Sequence, residues 1–515
     1  MGRSDKSRFI FDVKAIEDLQ QDAKWIELPP EDLILINPNT RTCPVFRARA
    51  DAELTRAIYR RVPVIIKEAR DGKPENNPWS IKFSTMFHMS NDSHLFLNSP
   101  DSDAVPLYEA KMIHQFDHRW ATYTRTPEGE LNTIDVTSVQ KANPAFTVVP
   151  RYWVPRSAVA DSMLSKQDPL YPLHIAAREK RRDALAWWCR CWLWGHELLA
   201  GREEAASRLR KEMDDARIVS HDTMEIVMAH EPELQWAKHA ATAFPLTVEE
   251  QRLLWIQIEA DGGLISRDPR VIGAKSSGEL AEAWEHVTEE VLARRRKKWL
   301  TGWRRNARNT DERSLICAAM PAHGIGDSIF LFVTLQADHL ASAFLANCNS
   351  LVFDFVMRQK LAGSNLSFYY LKQLPALPPE AYAPADLAYI VPRVLELTYT
   401  AHDMRPWAED VVASFQRQFP QHPPIVADPT HPFLFDAERR AVVRSELDAY
   451  FARLYGLTRN DLRYMLDPAD THGDDYPTET FRVLKKNEID QYGEYRTRRL
   501  VLEAWDRLFP EEIPV

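Results

Sequence analysis

The first third of the chain has a pattern of apolar and polar positions that predicts short elements separated by turns. Two strand-like runs, "LILINPNT" at 33–40 and "VPVIIKE" at 62–68, flank "DAELTRAIYRR" at 51–61, whose apolar spacing predicts a helix. Aromatic and β-branched residues dominate from 106 to 155, and this composition favours strands and loops. We therefore expect mostly short strands here, with a helix between them.

The middle of the chain has a helical pattern from 174 to 300. The run "RRDALAWWCRCWLWGHELLA" holds four tryptophans, too many for one narrow apolar stripe, namely Trp187, Trp188, Trp192 and Trp194. We expect this helix to be buried on several sides or to contact a partner. Strand-like runs return at 313–321 ("RSLICAAMP") and 328–335 ("SIFLFVTL"), and a helix is predicted near 337–361.

Prolines separate the C-terminal part from the rest of the sequence. A proline cannot continue a helix or a central strand, so a domain boundary is predicted at Pro375, Pro378, Pro379 and Pro384. Beyond a second proline-rich stretch, residues 440–456 have a clear helical pattern that ends at Gly456. Thr458 and Asp461 have the spacing of a capping box for the next helix.

These patterns predict a mixed α/β protein of the α+β kind with three parts. The parts are a junction at 1–100, a central domain of short strands and helices at 101–375, and a helical C-terminal domain at 380–515. A chain of 515 residues is long enough for two or three domains, each with its own core.

Composition and cysteine usage favour a folded protein of a reducing cytoplasm. Hydrophobic residues make up 45% of the chain and charged residues 27%. The five cysteines are scattered without a C-x-x-C pair, which argues against a disulfide framework or a structural zinc site. The most apolar run, 340–357, is interrupted by Asn347, Asn349 and Asp354, so no membrane span is expected. A bacterial cytoplasmic, nucleoid-associated location is the expectation.

Charge is distributed unevenly along the chain. The net charge is −9, yet residues 294–313 hold nine Lys or Arg against Asp311 and Glu312, with Trp299 and Trp303 between them. A second basic stretch covers residues 41–67. Such clusters are typical of a surface that contacts phosphates. The alternative is an exposed helix that is acidic at its start and basic at its end, as the helix dipole favours.

The tetrapeptide Asn143-Pro144-Ala145-Phe146 differs by one residue from the Asn-Pro-Pro-aromatic signature of methyltransferases that modify exocyclic amines of DNA bases. Ala145 replaces the second proline, and no glycine-rich turn that could hold S-adenosylmethionine precedes it. Asn-Pro also commonly opens a turn. A working methyl-transfer site is therefore not expected within these residues.

The segment "YEAKMIHQFDHRWATY" at 108–123 is dense in ionisable groups. His114 and His118 have the spacing of a zinc helix, but Gln115 stands where the H-E-x-x-H motif has its glutamate. Asp101, Glu109 and Lys111 formally match the PD-(D/E)xK pattern of Mg²⁺-dependent nucleases. That pattern is short, and the residues around Asp101 equally resemble a solvated turn.

Several blocks in chain order resemble the C-terminal part of one protein family. They include "INPNTRTCPVFRARADAELTRAIYRRVPV", "PLYEAKMIHQFDHRWATY", "NPAFTVVPRYWVP", "RNTDERSLICAAMPAHGIGD", "NLSFYYLKQLPALPP" and "GEYRTRRLVLEAWD". The chain looks like this part of large adenine-N6 DNA methyltransferases of the type IIG restriction–modification, DISARM and BREX phage-defence kind. In that family the part follows the catalytic domain and holds the target-recognition region.

The resemblance implies sequence-specific DNA recognition without catalysis in this chain. The family's Asn-Pro-Pro-Tyr tetrapeptide and S-adenosylmethionine site lie upstream of these blocks, so the Rossmann-like methylase core is expected to be absent or only a remnant. No catalytic, cofactor or metal residue is expected here, although S-adenosylmethionine is expected in the complete methyltransferase. The expected partners are double-stranded DNA and a separate catalytic subunit or other defence-system proteins.

Two groups of side chains are predicted to contact DNA. The phosphate contacts are predicted at Arg41, Arg47, Arg49, Arg60, Arg61, Arg294, Arg295, Arg296, Lys297, Lys298, Arg304, Arg305 and Arg308. The base-edge or duplex-distorting contacts are predicted at Lys111, His114, Gln115, His118, Arg119, Arg151 and Tyr152. Two other functions stay open, a Mg²⁺ nuclease using Asp101, Glu109 and Lys111, and a non-DNA scaffold subunit that grips another protein.

Overall fold

The computed structural model divides the chain into two compact units. The first unit comprises residues 1–159 and 298–515, and the second comprises residues 160–297. The structure describes residues 7–11, 13, 15–163, 298–308, 311–361, 363–426, 430–474 and 476–510, with short stretches between 201 and 297. In the second unit the described part includes the helical turn Pro269–Ile272, where Arg270 pairs with Asp268 and Glu290.

Short strands of the first unit form four small sheets. The strands are β1 (Ser7–Phe9), β2 (Ile26–Leu28), β3 (Lys82–Ser84), β4 (Ala104–Tyr108), β5 (Ala121–Arg125), β6 (Leu131–Asp135), β7 (Trp153–Pro155), β8 (Trp299–Arg304), β9 (Cys317–Pro321), β10 (Gly324–Ile325) and β11 (Ile329–Val333). The largest sheet has the antiparallel order β3-β11-β8-β9. A second sheet, β10-β4-β7, pairs β10 parallel and β7 antiparallel to β4, while β1-β2 and β5-β6 are antiparallel pairs.

The largest sheet lies in the interior of the first unit. Every residue of β9 is buried, and only Arg304 at the end of β8 is partly exposed. At Gly302 the strands approach so closely that a Cβ atom would lie 2.5 Å from the carbonyl oxygen of Phe330. A side chain at this position would push β8 away from β11, which explains the glycine within a strand.

Helices make up most of the remaining structure. They are α1 (Pro30–Ile36), α2 (Arg49–Arg61), α3 (Ser138–Ala142), α4 (Arg156–Met163), α5 (Asp338–Asn349), α6 (Leu351–Lys360), α7 (Phe368–Lys372), α8 (Pro384–Thr398), α9 (Arg405–Gln418), α10 (Ala437–Leu454), α11 (Arg459–Leu466), α12 (Ala469–His472), α13 (Arg482–Tyr492) and α14 (Arg496–Leu508). Helix α5 packs against α8 and α9, and α10 packs against α14.

One continuous hydrophobic core joins the largest sheet to the helices. It includes Trp303 of β8, Phe344 of α5, Trp407 of α9 and Trp505 of α14. The predicted mixed α/β character of the α+β kind is confirmed. The prolines from 375 to 384 lie inside the first unit, where Leu374 and Ala376 exchange backbone hydrogen bonds with the segment at 63–65.

Several predicted elements form within a few residues of the predicted positions. Helices α2 and α10 and strands β9 and β11 form where the sequence predicts them. Gly456 ends α10 with a φ of 72°, a conformation that glycine adopts without strain. Thr458 caps α11, and Asp461 completes the predicted capping box.

Other predictions differ from the structure for physical reasons. Residues 33–36 belong to helix α1 instead of a strand, because Pro30 and two acidic residues in the first turn favour a helix start. The helix predicted near 337–361 is two helices, α5 and α6, separated at Ser350, whose hydroxyl accepts a hydrogen bond from the amide of Phe353. The predicted helices between 174 and 300, with the tryptophan-rich run, lie mostly outside the described residues.

Over the described residues, no single helix is both long and apolar enough to cross a bilayer. Helices α5 and α6 reach the necessary length and apolar character only when they are taken together, and the chain bends by 57° between them.

Candidate functional site

The basic run at 294–313 is interrupted by a buried strand. Lys298 precedes β8 and Arg305 follows it, so the two Cα atoms are separated by roughly 20 Å of extended chain. Trp299 donates a hydrogen bond from Nε1 to Asp410 at 2.8 Å, and Trp303 donates one to the carbonyl of Leu366 at 2.9 Å. Both indoles are buried and do not offer a surface for base stacking. The run is therefore not one continuous basic surface.

The basic residues of this run have different environments. Arg304 donates to the carbonyl of Ile113, and burial lowers its pKa to about 10. Arg305 lies 3.4 Å from Asp327 and over the ring of Phe330, while Arg308 is exposed. Residues 296 and 297 belong to the second unit, and Arg294 and Arg295 lie outside the described residues.

Most arginines of the second basic stretch already have partners in the protein. Arg49 donates to the carbonyls of Trp25 at 3.1 Å and Asp22 at 2.7 Å. Arg61 donates to the carbonyl of Gly456. Surface ion pairs engage Arg41 with Asp71 and Arg60 with Asp32, whereas Arg47 is exposed beside the start of α2. These contacts fix local structure around α1 and α2.

Three residues predicted to touch bases are buried in the structure. Gln115 is 2% exposed and donates to the carbonyls of Leu315 and Asn349. His118 is 1% exposed and forms a 2.9 Å contact with the carboxylate of Asp403. Arg119 is fully buried. Side chains whose polar atoms are satisfied internally would have to break those hydrogen bonds to reach DNA.

Arg119 organises the tetrapeptide that resembles a methyltransferase signature. Its Nη1 donates to the carbonyls of Asn143 at 2.9 Å and Phe146 at 3.1 Å, and its Nη2 donates to those of Lys141 and Thr400, both at 2.9 Å. The carbonyl of Pro144 accepts from the amide of His402. These bonds give the tetrapeptide a structural role in joining the loop after α3 to the segment between α8 and α9.

A buried ion pair between Lys141 and Asp117 lies beside Arg119 and reinforces the same contact between the loop after α3 and the segment between α8 and α9. The ammonium of Lys141 lies 2.6 Å from the carboxylate of Asp117 and over the rings of Trp120 and Phe435. Burial alone would raise the pKa of Asp117, but Lys141 and Arg440 outweigh this effect and hold the pKa well below 3.8. The carboxylate is therefore ionised, and it accepts hydrogen bonds from the ammonium of Lys141 and from the backbone amide of Arg119.

The chain segments that carry Lys111 and Arg305, two of the predicted DNA-contacting cations, meet at Ser328. The amide of Ala110 donates to the hydroxyl of Ser328 at 2.9 Å, and the amide of Arg305 donates to the carbonyl of the same serine at 2.8 Å. Arg151 acts electrostatically on the phenol of Tyr123, whose pKa burial raises to about 12. Tyr152, next in the chain, stacks on Phe96.

The structure does not assemble the nuclease pattern. Asp101 precedes β4 and Glu109 follows it, so a strand of five residues, roughly 13 Å from its first to its last Cα, lies between them. A Mg²⁺ ion needs its ligands at about 2 Å from one centre. Glu109 also accepts a 2.6 Å hydrogen bond from Tyr123. Within the described residues no group of three or more His, Cys, Asp or Glu could hold a metal ion.

A polar cavity of about 290 Å³ lies between the loop after β4 and the helices α10, α13 and α14. Its lining includes His114 and Trp120, whose rings stack with centroids 4.2 Å apart. Arg440, Arg444 and Asp448 line it from α10. The sequence prediction missed these three residues, although their spacing of four places them on one face of a helix.

Comparisons with known protein families, with curated proteins and with solved structures found no match to this chain.

Proposed function

We propose that this chain is a DNA-binding, target-recognition part of an adenine-N6 DNA methyltransferase that acts in restriction–modification or phage defence. Methyl transfer, with its S-adenosylmethionine site and catalytic tetrapeptide, belongs in this proposal to a separate catalytic part. The observation that carries the proposal is the meeting of the segments with Lys111 and Arg305 at Ser328, near Tyr123, on which Arg151 acts. We propose that Lys111, Arg151 and Arg305 form one DNA-contacting surface, which we call the cation face. Support also comes from the resemblance of the sequence blocks to that family.

The cation face has the composition of a phosphate-contacting surface. Lys111 and Arg151 are exposed, and Arg305 is half-buried with one weakly held carboxylate neighbour at 3.4 Å. The nearby carboxylate of Glu109 is engaged by Tyr123, which reduces its competition for the cations. Cations on a rigid framework of strand ends can neutralise phosphates with little loss of side-chain entropy.

Binding to DNA would release counterions in proportion to the phosphates neutralised. Removing three phosphate contacts lowers the slope of log affinity against log salt by about 3, because each contact contributes about 0.9. We expect the triple variant Lys111→Ala, Arg151→Ala, Arg305→Ala to show this loss in a fluorescence-anisotropy titration with a labelled duplex at several salt concentrations.

A matched control removes the same charge from another surface. Arg482, Lys486 and Arg499 are exposed on α13 and α14, and their triple alanine variant should keep the affinity and the salt slope of the unmodified chain. Equal losses in the two variants would show that only net charge matters, and the cation face would then have no specific role. No salt-sensitive binding by the unmodified chain would remove the proposal of autonomous DNA recognition.

Sequence recognition needs its own measurement. The unmodified chain should retain particular duplexes from a random library, and sequencing of the retained DNA should reveal one adenine-containing motif. Retention without an enriched motif would reduce the proposal to nonspecific DNA binding.

A further inference from the structure

The cavity beside α10 is a second feature of the first unit that suits a ligand. None of the three residues of the cation face lines it. Its volume of about 290 Å³ lies at the lower end of the range for small-molecule sites. Residues from five segments of the chain line it: the loop with His114 and Trp120, the segment with Glu312, helix α10 with Phe435 before it, helix α13 and the start of α14. It is bounded on several sides by fixed elements.

Arg444 is the cation of this cavity that lacks an acceptor. Among the residues that the structure describes, its guanidinium makes no hydrogen bond and no ion pair. The two neighbouring arginines of the lining differ from it: Arg440 donates to the carbonyl of Leu397 at 2.6 Å, and Arg496 pairs with Glu438 at 2.7 Å. Arg444 lines the cavity, and its guanidinium carries up to five N–H donors that no described residue accepts.

The carboxylates that surround Arg444 already have other donors. Glu488 accepts from the hydroxyl of Thr497 at 2.5 Å and from its amide at 2.7 Å. Asp448 accepts from the amide of Leu351 at 2.7 Å, and Glu312 accepts from the side-chain amide of Asn487. They act on Arg444 through space and do not satisfy its donors.

The side chain of Arg444 is partly withdrawn from solvent. Desolvation lowers the pKa of Arg444, and the charge of Arg313 lowers it further, against the opposing effects of Asp448 and Glu488. His114 does not add a competing positive charge, because burial and the cations Arg304 and Arg444 hold its pKa well below 6.5 and keep the imidazole neutral. An anion in direct contact with Arg444 would therefore offset part of the desolvation of the guanidinium, against the repulsion of the carboxylates that also line the cavity.

We propose that this cavity binds a small organic oxyanion, a molecule with a carboxylate or phosphate group held by the guanidinium of Arg444. The cavity is larger than a single oxyanion requires, so an organic body fills the space toward Trp120 and Asn487. The oxyanion replaces water molecules that otherwise solvate the guanidinium, and it can accept two parallel hydrogen bonds from it.

The test is isothermal titration of the full chain with three probes: adenosine monophosphate, citrate and neutral adenosine. We expect one of the two anions to bind at about millimolar concentration or below and adenosine to bind at least about tenfold more weakly. Binding of adenosine monophosphate identifies a phosphate ligand, and binding of citrate identifies a carboxylate ligand. Equal binding of adenosine, or no binding of either anion, overturns the proposal.

Two arginine variants distinguish the site from a general charge effect. Arg444→Met should weaken anion binding by about ten- to a hundredfold, the loss expected for charge-assisted hydrogen bonds. Arg499→Met, on an exposed face of α14 outside the cavity, should bind like the unmodified chain. If Arg444→Met binds the anion unchanged while retaining its cooperative unfolding, the cavity is not the site.

Discussion

Two regions of the first unit hold an arginine in different ways, one fully buried at Arg119 and one partly exposed to a cavity at Arg444. At the junction, the two terminal nitrogens of Arg119 donate to the carbonyls of Asn143, Phe146, Lys141 and Thr400. In the cavity, Arg444 has no such acceptor among the described residues, although it lies in a regular helix beside well-bonded neighbours. Among the described residues, both terminal nitrogens of Arg119 have acceptors and only its Nε lacks one, whereas no nitrogen of Arg444 has an acceptor.

The difference separates a structural charge from a binding charge. Hydrogen-bond acceptors held in place by the fold offset part of the desolvation free energy of a buried charge, and the bonds also hold the surrounding segments together. A charge held without acceptors costs folding free energy, and proteins keep such costs mainly where they serve a site. We infer that Arg119 stabilises the fold and that Arg444 serves a ligand. The predictions below run from the largest expected change in stability to the smallest.

Replacing Arg119 by methionine should have the largest effect. Four backbone carbonyls lose a donor inside the protein, so the free energy of unfolding should fall by about 4 kcal/mol. Urea unfolding followed by circular dichroism measures this fall. The surface variant Arg499→Met serves as the control and should change stability by less than about 0.5 kcal/mol. Similar stabilities of the two variants would contradict a structural role for Arg119.

Breaking the ion pair beside Arg119 should cost somewhat less. Lys141→Met leaves the carboxylate of Asp117 buried without its closest cation, and we expect a loss of about 3 kcal/mol in unfolding free energy. Adding Asp117→Asn should recover part of this loss, because the uncompensated charge is then gone. A double variant less stable than Lys141→Met would show that Asp117 contributes through other contacts, and the pairwise account would fail.

Asp51 of α2 provides a third case, a fully buried carboxylate with neutral partners. Burial raises its pKa to about 6, against the opposing hydrogen bonds from Tyr464 and Thr478. Between these two pKa values the carboxyl group of Asp51 is protonated in the folded protein, whereas in the unfolded chain, with a pKa near 3.8, it is ionised. From this group the unfolding free energy should fall by about 2–3 kcal/mol as the pH rises from about 4 to 6.

The variant Asp51→Asn isolates that contribution. The unfolding free energy of each protein is measured by urea unfolding from about pH 4 to pH 7. The value for the unmodified chain minus the value for the variant should fall as the pH rises. A difference that grows with pH would mean that the carboxylate is stabilised in its charged form, contrary to the effect of burial.

Arg444→Met should have the smallest effect and the opposite sign to Arg119→Met. Removing a charge without acceptors and filling its place with an apolar side chain should leave stability unchanged or raise it by about 1 kcal/mol. Thermal unfolding of the ligand-free variant measures this change. A loss of more than about 2 kcal/mol would place Arg444 with the structural arginines and remove the contrast.

Local signals in the sequence were sufficient for the elements whose own residues favour them. The apolar spacing of α10, its glycine stop and the capping box at Thr458 all depend on neighbours within a few positions, and they form as predicted. The strand pattern at 33–36 failed, because residues flanking the apolar run favoured a helix start that the run itself does not show. The mixed α/β character of the protein also follows from such local patterns, and the structure confirms it.

The fate of each charged side chain was decided by tertiary structure. Arg119 and Lys111 stand eight positions apart in one polar segment, yet one is fully buried and the other is exposed. The basic run around β8 likewise has a composition suited to DNA, but its tryptophans belong to the core. Composition records which charges exist. Whether a charge meets carbonyls, solvent or an empty cavity depends on segments hundreds of residues away, such as Thr400 for Arg119, and sequence spacing carries no information about those contacts.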